Sequence, residues 1–244
     1  GMTRLETGYI AKASAKQRKG RAGRTQPGHC IRLWDQQRHN SLREYQGEEI
    51  LSADLCATVL ELLLWGAGNY DTINWLTAPP PAHYTTAINT LQTLGLIDAD
   101  RRVTPRGKTA ATLGLSPRLA ASLLQAEPGV ELAIGCELAC LLIERDIFQP
   151  SKNADIVARL IAVQDYKTNP NSALKNYSVQ RTTMQRLLNN ARSLHQRLKL
   201  PHKDANPSTT DTVFSLTQIH SAVEKLLLYA YPDRLAKKRS HSDG

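Results

Sequence analysis

Residues 48–68, EEILSADLCATVLELLLWGAG, decide how the rest of the chain is read. Ile50, Leu51, Leu55, Val59, Leu62 and Leu63 recur at three- and four-residue spacings, the period of one helix face, and Gly66 is a stop signal. The spacing predicts a helix through most of this stretch. Before it the sequence mixes a basic helix pattern with a strand pattern, and after it helix succeeds helix.

Upstream, Thr25-Gln26-Pro27-Gly28 is a turn signal leading into HCIRLW, residues 29–34, where Cys30, Arg32 and Trp34 alternate with Ile31 and Leu33 as in a strand. One helix and one strand cannot bury a core of their own. Residues 1–48 therefore read as the end of a larger α/β domain, or as an element leaning on the helices downstream. There, a second helix from Ala82 to Leu94 comes after Pro79-Pro80-Pro81, a run that requires extended backbone. GLIDADRRVTPRG, residues 95–107, places short apolar pieces on either side of the acidic turn Asp98-Ala99-Asp100 and predicts a small hairpin. Helix, helix, hairpin is the order of a winged helix.

Thr104 before Pro105 and Ser116 before Pro117 each supply a hydroxyl N-cap with Pro at the first helical position. Beyond them SPRLAASLLQA, VELAIGCELACLLIERDIF, NADIVARLIAVQDY, SVQRTTMQRLLNNARSLHQRLKL and LTQIHSAVEKLLLYAY read as helices divided by Pro, Asn and Gly. Residues 202–212 read as a polar loop and the last residues as a frayed tail. The expected class is mainly α, with an α/β remnant (1–48), a winged helix (49–115), a helical bundle (116–236) and a tail (237–244).

Composition narrows the function. Lys and Arg number 31 against 22 Asp and Glu, a formal charge of +9, which favours a polyanionic partner, with nucleic acid ahead of an anionic membrane surface. Cys30, Cys56, Cys136 and Cys140 form no Cys-x-x-Cys pair and no disulfide framework, which fits a reducing compartment. No apolar run is long enough to cross a membrane and the N-terminus lacks a signal-peptide core, so a cytoplasmic protein is expected. Gly1 before Met2 reads as a cloning remnant and points to an excised piece of a longer protein.

The segment AKQRKGRAGR, residues 15–24, carries the candidate chemistry. In a continuous helix Gln17, Arg21 and Arg24 stand at i, i+4 and i+7 on one face, while Arg18 and Lys19 point elsewhere. Gly20, Ala22 and Gly23 would admit another backbone, at about 1 kcal/mol of helix stability per Gly. Two guanidiniums converging with an amide on a compact anion would justify that cost, because Arg forks bind phosphate oxygens bidentately. A solvated basic face is the other reading, and the residues alone leave both open.

Q-R-x-G-R-x-G-R is also helicase motif VI of superfamily 2 helicases of the DEAH kind, which Gln17-Arg18-Lys19-Gly20-Arg21-Ala22-Gly23-Arg24 resembles at every fixed position. The resemblance implies the second RecA-like domain of an ATP-dependent RNA helicase, facing ATP and Mg²⁺ bound by the first. Arg21 and Arg24 would be arginine fingers on the γ-phosphate, and Gln17 would position phosphate or attacking water. PGHCIRLW resembles the closing strand of that domain, VTPRG with LSPRLA the entry to a helical ratchet domain, and ELLLWG, SPRLA and AYPDRLAKKR together look most like the bacterial HrpB subgroup.

The departures are equally informative. The only Gly-Lys-Thr, residues 107–109, has Arg102 where a P-loop needs its first Gly and reads as helix surface. No Asp-Glu dipeptide exists, so the D-E-A-H box is absent. These residues hold the finger side of an ATPase site without the side that binds ATP and Mg²⁺, and the chain alone is expected to bind no cofactor and hydrolyse no ATP.

Cys136 and Cys140, among Leu138, Leu141 and Leu142, read as small core residues, and the seven His form no ligand cluster, so no metal is expected. Arg181, Arg186, Arg192 and Arg197, with Lys199, lie on one helical stretch and read either as an exposed face or as an RNA backbone contact. The resemblance implies that the ratchet domain touches single-stranded RNA passing between it and the RecA pair, the N-terminal RecA-like domain being part of the same chain. Two other classes make distinct demands. A winged-helix DNA-binding regulator with a helical dimerisation domain needs cations on its second helix, and AHYTTAINTLQTL, residues 82–94, has no Arg or Lys. A helical scaffold that binds only protein predicts no nucleic-acid binding.

Overall fold

Apolar residues at helical spacing need a second surface to cover them. In the computed structural model, which describes residues 8–148, 154–199 and 212–236, they find it in one connected core. The helices are α1 (Lys12–Arg21), α2 (Gln36–Ser41), α3 (Cys56–Leu64), α4 (Pro81–Thr93), α5 (Pro105–Thr112), α6 (Pro117–Gln125), α7 (Val130–Ile143), α8 (Ile156–Thr168), α9 (Pro170–Tyr177), α10 (Arg181–Lys199) and α11 (Leu216–Ala230). The chain is mainly α, as its periodicity implies. The polar stretch 202–211, the tail 237–244 and the side chain of Lys199 lie outside the described residues.

Residues 48–68 do not form one helix. A short 3₁₀ turn at Glu49–Leu51 is succeeded by a break, and α3 begins at Cys56 because the Asp54 carboxylate accepts the Cys56 N–H at 2.8 Å. A short Asp side chain bonding its own backbone two residues on competes with helix continuation. The next helix starts one residue earlier than expected, at Pro81 itself. The two hydroxyl caps are present: Thr104 Oγ1 accepts the Gly107 N–H at 3.0 Å, and Ser116 Oγ accepts that of Leu119 at 3.5 Å. Asn169 before Pro170 repeats the device and splits α9 from α8.

Among the described residues β pairing is reduced to one antiparallel bridge, Ile97 with Val103, which closes the small hairpin. The hairpin is seated by Gly107, where an added Cβ would stand 2.0 Å from the Leu96 carbonyl oxygen. The Gly of Gly107-Lys108-Thr109 is thus a packing glycine inside α5. The strand expected at 29–34 is not formed, and Ile31 and Leu33 are 85% and 93% exposed. A strand needs a neighbour to pair its N–H and C=O groups, and none stands beside it among the described residues.

The core runs without interruption from Leu55 in the α3–α5 region to Leu226 in α11, so α3–α5 and α6–α11 share one interior. Residues 8–47 contribute nothing to it; α1 buries only Ala15, and Ala11 just before it is also buried. At the centre lies α7, buried from Glu131 to Leu141 and covered by α6, α8, α10 and α11. A helix apolar on all sides belongs inside, and Cys136 and Cys140 are small core residues there.

One charge sits in that interior. Glu137, 2% exposed, accepts from Gln164 Nε2 at 2.7 Å and from the Lys167 ammonium, itself only 6% exposed. Gln164 Oε1 accepts the Phe214 N–H at 3.1 Å, while Lys167 also donates to the Thr212 carbonyl at 3.1 Å and lies 4.9 Å over the Phe214 ring. Burial pushes the Glu137 carboxyl above the ordinary carboxylate range, against the pull of Lys167 and Gln164. The network ties the segment entering α11 to α7 and α8.

Candidate functional site

The candidate site begins with why α1 is a helix. Ala11 has no capping side chain, and the first-turn N–H groups of Lys12 and Ala13 donate instead to the Arg43 and Glu44 carbonyls at 2.9 and 3.0 Å. Arg18, Lys19 and Arg21 crowd the last turn, where cations meet the negative end of the helix dipole. The helix stops at Arg21, with the Ala22 N–H bonded to the Lys19 carbonyl at 3.1 Å.

That stop corrects the sequence reading. Gln17 and Arg21 stand one turn apart on one face, but Arg24 lies beyond the C-cap in a turn and shares no continuous helical face with them. Gly20 and Gly23 face open space within the chain, so neither is needed here for close packing. The glycine that matters locally is Gly28, whose added Cβ would lie 1.9 Å from the Ala22 carbonyl oxygen. It lets the chain double back and fixes the loop carrying Arg24.

Gln17, Arg21 and Arg24 are exposed, and the two guanidiniums have no hydrogen bond or ion pair among the described residues. Free Arg forks on a short, backbone-anchored element are suited to grip phosphate oxygens supplied from outside.

The arginines of α10 are placed differently. Arg181 donates to Asn171 at 2.7 Å, Arg186 to Glu144 at 2.7 Å, Arg192 to Asn189 at 2.8 Å, and Arg197 to the Thr112 carbonyl. The apolar face of the helix, including Met184, Leu187, Ala191 and Leu194, packs on α7. At about 100° per residue, Arg181 and Arg192 fall on one flank of that face and Arg186 and Arg197 on another, roughly 140° away. They do not form a single stripe.

Structural arginines escaped the sequence reading, Arg118 and Arg159 among them. Arg118 on α6 is 9% exposed, donates to the Ala230 carbonyl at 3.1 Å, and forks onto Asp233 at 2.6 and 3.0 Å, which holds the Asp233 carboxyl below the usual range. Its only sequence signal is a position two residues past an N-cap on an apolar helix face. With Asp54, Cys56 and Thr90 the pair borders a cleft of about 370 Å³. Burial, and then the Asp54 carboxylate, push the Cys56 thiol up to about 12.

No family model matches the chain. It is similar to the ATP-dependent RNA helicase HrpB of Escherichia coli (strain K12), 37% identical over 144 residues, which is 59% of this chain and 18% of that protein. It is also similar to the probable ATP-dependent RNA helicase DHX34 of Mus musculus, 40% identical over 112 residues, 46% of this chain and 10% of that one. The crystal structure of Escherichia coli DEAH/RHA helicase HrpB superposes with a TM-score of 0.68 at 29% identity, covering 98% of this chain and 26% of its own. The chain therefore spans no more than about a quarter of the proteins it matches. Its homologues are DEAH-box ATP-dependent RNA helicases.

Proposed function

We propose that the chain is the C-terminal region of an ATP-dependent RNA helicase working in the cytoplasm, with residues 1–48 closing the second RecA-like domain, 49–115 forming a winged helix and 116–236 a ratchet domain. Arg21 and Arg24 act as arginine fingers on the γ-phosphate of ATP held, with Mg²⁺, by the N-terminal RecA-like domain, and Gln17 orients phosphate or attacking water. The bound nucleotide and metal supply the transferable phosphoryl group, while these residues stabilise the charge that develops on it. Single-stranded RNA passes beside α10, meeting either Arg181 and Arg192 or Arg186 and Arg197.

The observation that carries this reading is the contrast between two sets of arginines. Those of α10 are bonded within the fold, whereas Arg21 and Arg24 are exposed and unbonded among the described residues, on a segment that contributes nothing to the core. A winged-helix regulator is not favoured, since α4 carries no Lys or Arg.

The test is a chimera in which this chain replaces the matching segment of Escherichia coli HrpB. Arg21→Ala or Arg24→Ala should lower kcat for RNA-stimulated ATP hydrolysis about 10³-fold or more, the usual worth of an arginine finger. Turnover within tenfold of the parent chimera would remove the finger assignment. The 244-residue chain alone should hydrolyse no ATP, having neither a P-loop nor a D-E-A-H box in its sequence.

A further inference from the structure

Arg21 and Arg24 stand on different supports. Arg21 is carried by α1, whose first turn is held by the Arg43 and Glu44 carbonyls. Arg24 lies past the Ala22 C-cap, in the loop that returns through Pro27 to Gly28. Among the described residues no backbone hydrogen bond made by residues 23–28 holds that loop.

What shapes it is a contact at its mouth. A Cβ on Gly28 would stand 1.9 Å from the Ala22 carbonyl oxygen, 2.6 Å from the carbonyl carbon and 3.3 Å from the Ala22 Cβ. The Gly28 backbone lies outside the left-handed region, so the requirement is for space and not for an unusual φ. Pro27 fixes its own φ near about −65°, which stiffens the returning limb just before it meets Ala22. Both partners belong to the single loop 22–28, so the contact does not depend on what covers this face in a longer protein. An alanine at 28 must open the mouth. A Cβ essentially never comes within 3.0 Å of such an atom, so the two limbs separate by at least about 1.1 Å. Arg24 lies between them in the chain and moves with them, whereas Arg21 precedes Ala22 on a helix anchored at its other end.

We infer that Gly28 is a positioning residue for ATP hydrolysis, acting through Arg24 by letting the loop close on the Ala22 carbonyl. The inference rests on the reading of Arg24 as a finger, and it assigns that finger a support separate from the one that carries Arg21. A displacement of about 1 Å in a positioned group can cost about 10²-fold in rate. Residues 22 and 28 are exposed and lie outside the core, so the clash displaces the loop and leaves the fold in place.

The experiment is a double-mutant cycle in the Escherichia coli HrpB chimera, with Gly28→Ala, Arg24→Ala and both together, each assayed for RNA-stimulated ATP hydrolysis and for Tm. Gly28→Ala should lower kcat about 10²-fold and leave KM for ATP within about threefold, because the nucleotide is held by the other lobe. When Arg24 is already alanine, Gly28→Ala should lower kcat by no more than about threefold further, since the group it displaces is gone, while its effect on Tm should be the same in either background. A merely structural glycine would lower kcat equally in both. A Gly28→Ala kcat within about threefold of the parent chimera, an undiminished loss in the Arg24→Ala background, or a Gly28→Ala chimera that fails to fold overturns the inference and leaves the finger reading standing. An Arg24→Ala kcat within tenfold of the parent overturns the finger reading itself, and the inference falls with it.

Discussion

Lys167→Met takes the counter-charge from a carboxylate that is 2% exposed and leaves the volume of the stem almost unchanged. Glu137 keeps Gln164 Nε2 as its one remaining donor, and the Thr212 carbonyl loses its bond to the ammonium. Breaking a buried pair by removing one partner costs about 3–5 kcal/mol. At about 2–4 °C per kcal/mol for a chain of this size, the melting temperature should fall by about 6–20 °C at pH 8. The pH dependence identifies the cause. Burial already holds the Glu137 pKa above its unfolded value, and loss of Lys167 raises it further. The stability contributed by such a group is fully present below its unfolded pKa of about 4.3 and is lost as pH rises through the raised folded value. The difference in Tm between variant and parent should therefore shrink as pH falls from 8 to 5, read by circular dichroism at 222 nm. Glu137→Leu/Lys167→Met should recover all but about 1–3 kcal/mol, the cost of the Gln164 amide left without its acceptor. A Tm within 2 °C of the parent at pH 8, or a difference that does not change with pH, would refute the account of a desolvated charge.

Packing and burial fix two further outcomes. Gly107→Ala pushes a methyl into the Leu96 backbone oxygen and should destabilise by about 1–3 kcal/mol or more, exceeding the ~1 kcal/mol of Thr104→Ala one turn away; urea melts of the two variants compare them directly. Cys30 is exposed while Cys56, Cys136 and Cys140 are buried, and burial pushes the thiols of Cys56 and Cys140 up to about 12. A chromogenic disulfide reagent at pH 8 should react promptly with one thiol in the folded protein and with all four in guanidinium.

Much of the bundle was legible because its signals are local. A hydroxyl before a Pro sets a helix start by chemistry that spans four residues, and Thr104 and Ser116 cap as read. Gly66 ends α3 for an equally local reason, its backbone lying at φ +78°. Residues 48–55 misled because the apolar period continues across a break made by one Asp side chain. HCIRLW misled for the opposite reason: alternation marks a strand only where another strand stands beside it. The candidate site was legible as residue types and not as a shape. Spacing placed Arg24 with Gln17 and Arg21, but a helix that ends at Arg21 separates them, and the placing of that helix depends on backbone partners at Arg43 and Glu44. Arg118, Glu137 and Lys167 were illegible because their partners lie 30 to 115 residues away.

The Arg118–Asp233 clasp also bears on the order in which the chain acquires its structure. Its two halves are 115 positions apart, so a growing polypeptide presents the arginine long before the aspartate exists. Until residues 230–233 arrive, Arg118 lacks the Ala230 carbonyl, the Tyr231 ring and the Asp233 carboxylate that receive its guanidinium in the folded chain. Closure of that loop is a late, long-range event, of the kind that slows folding. The clasp therefore joins α6 to the far end of the chain only once that end has been made.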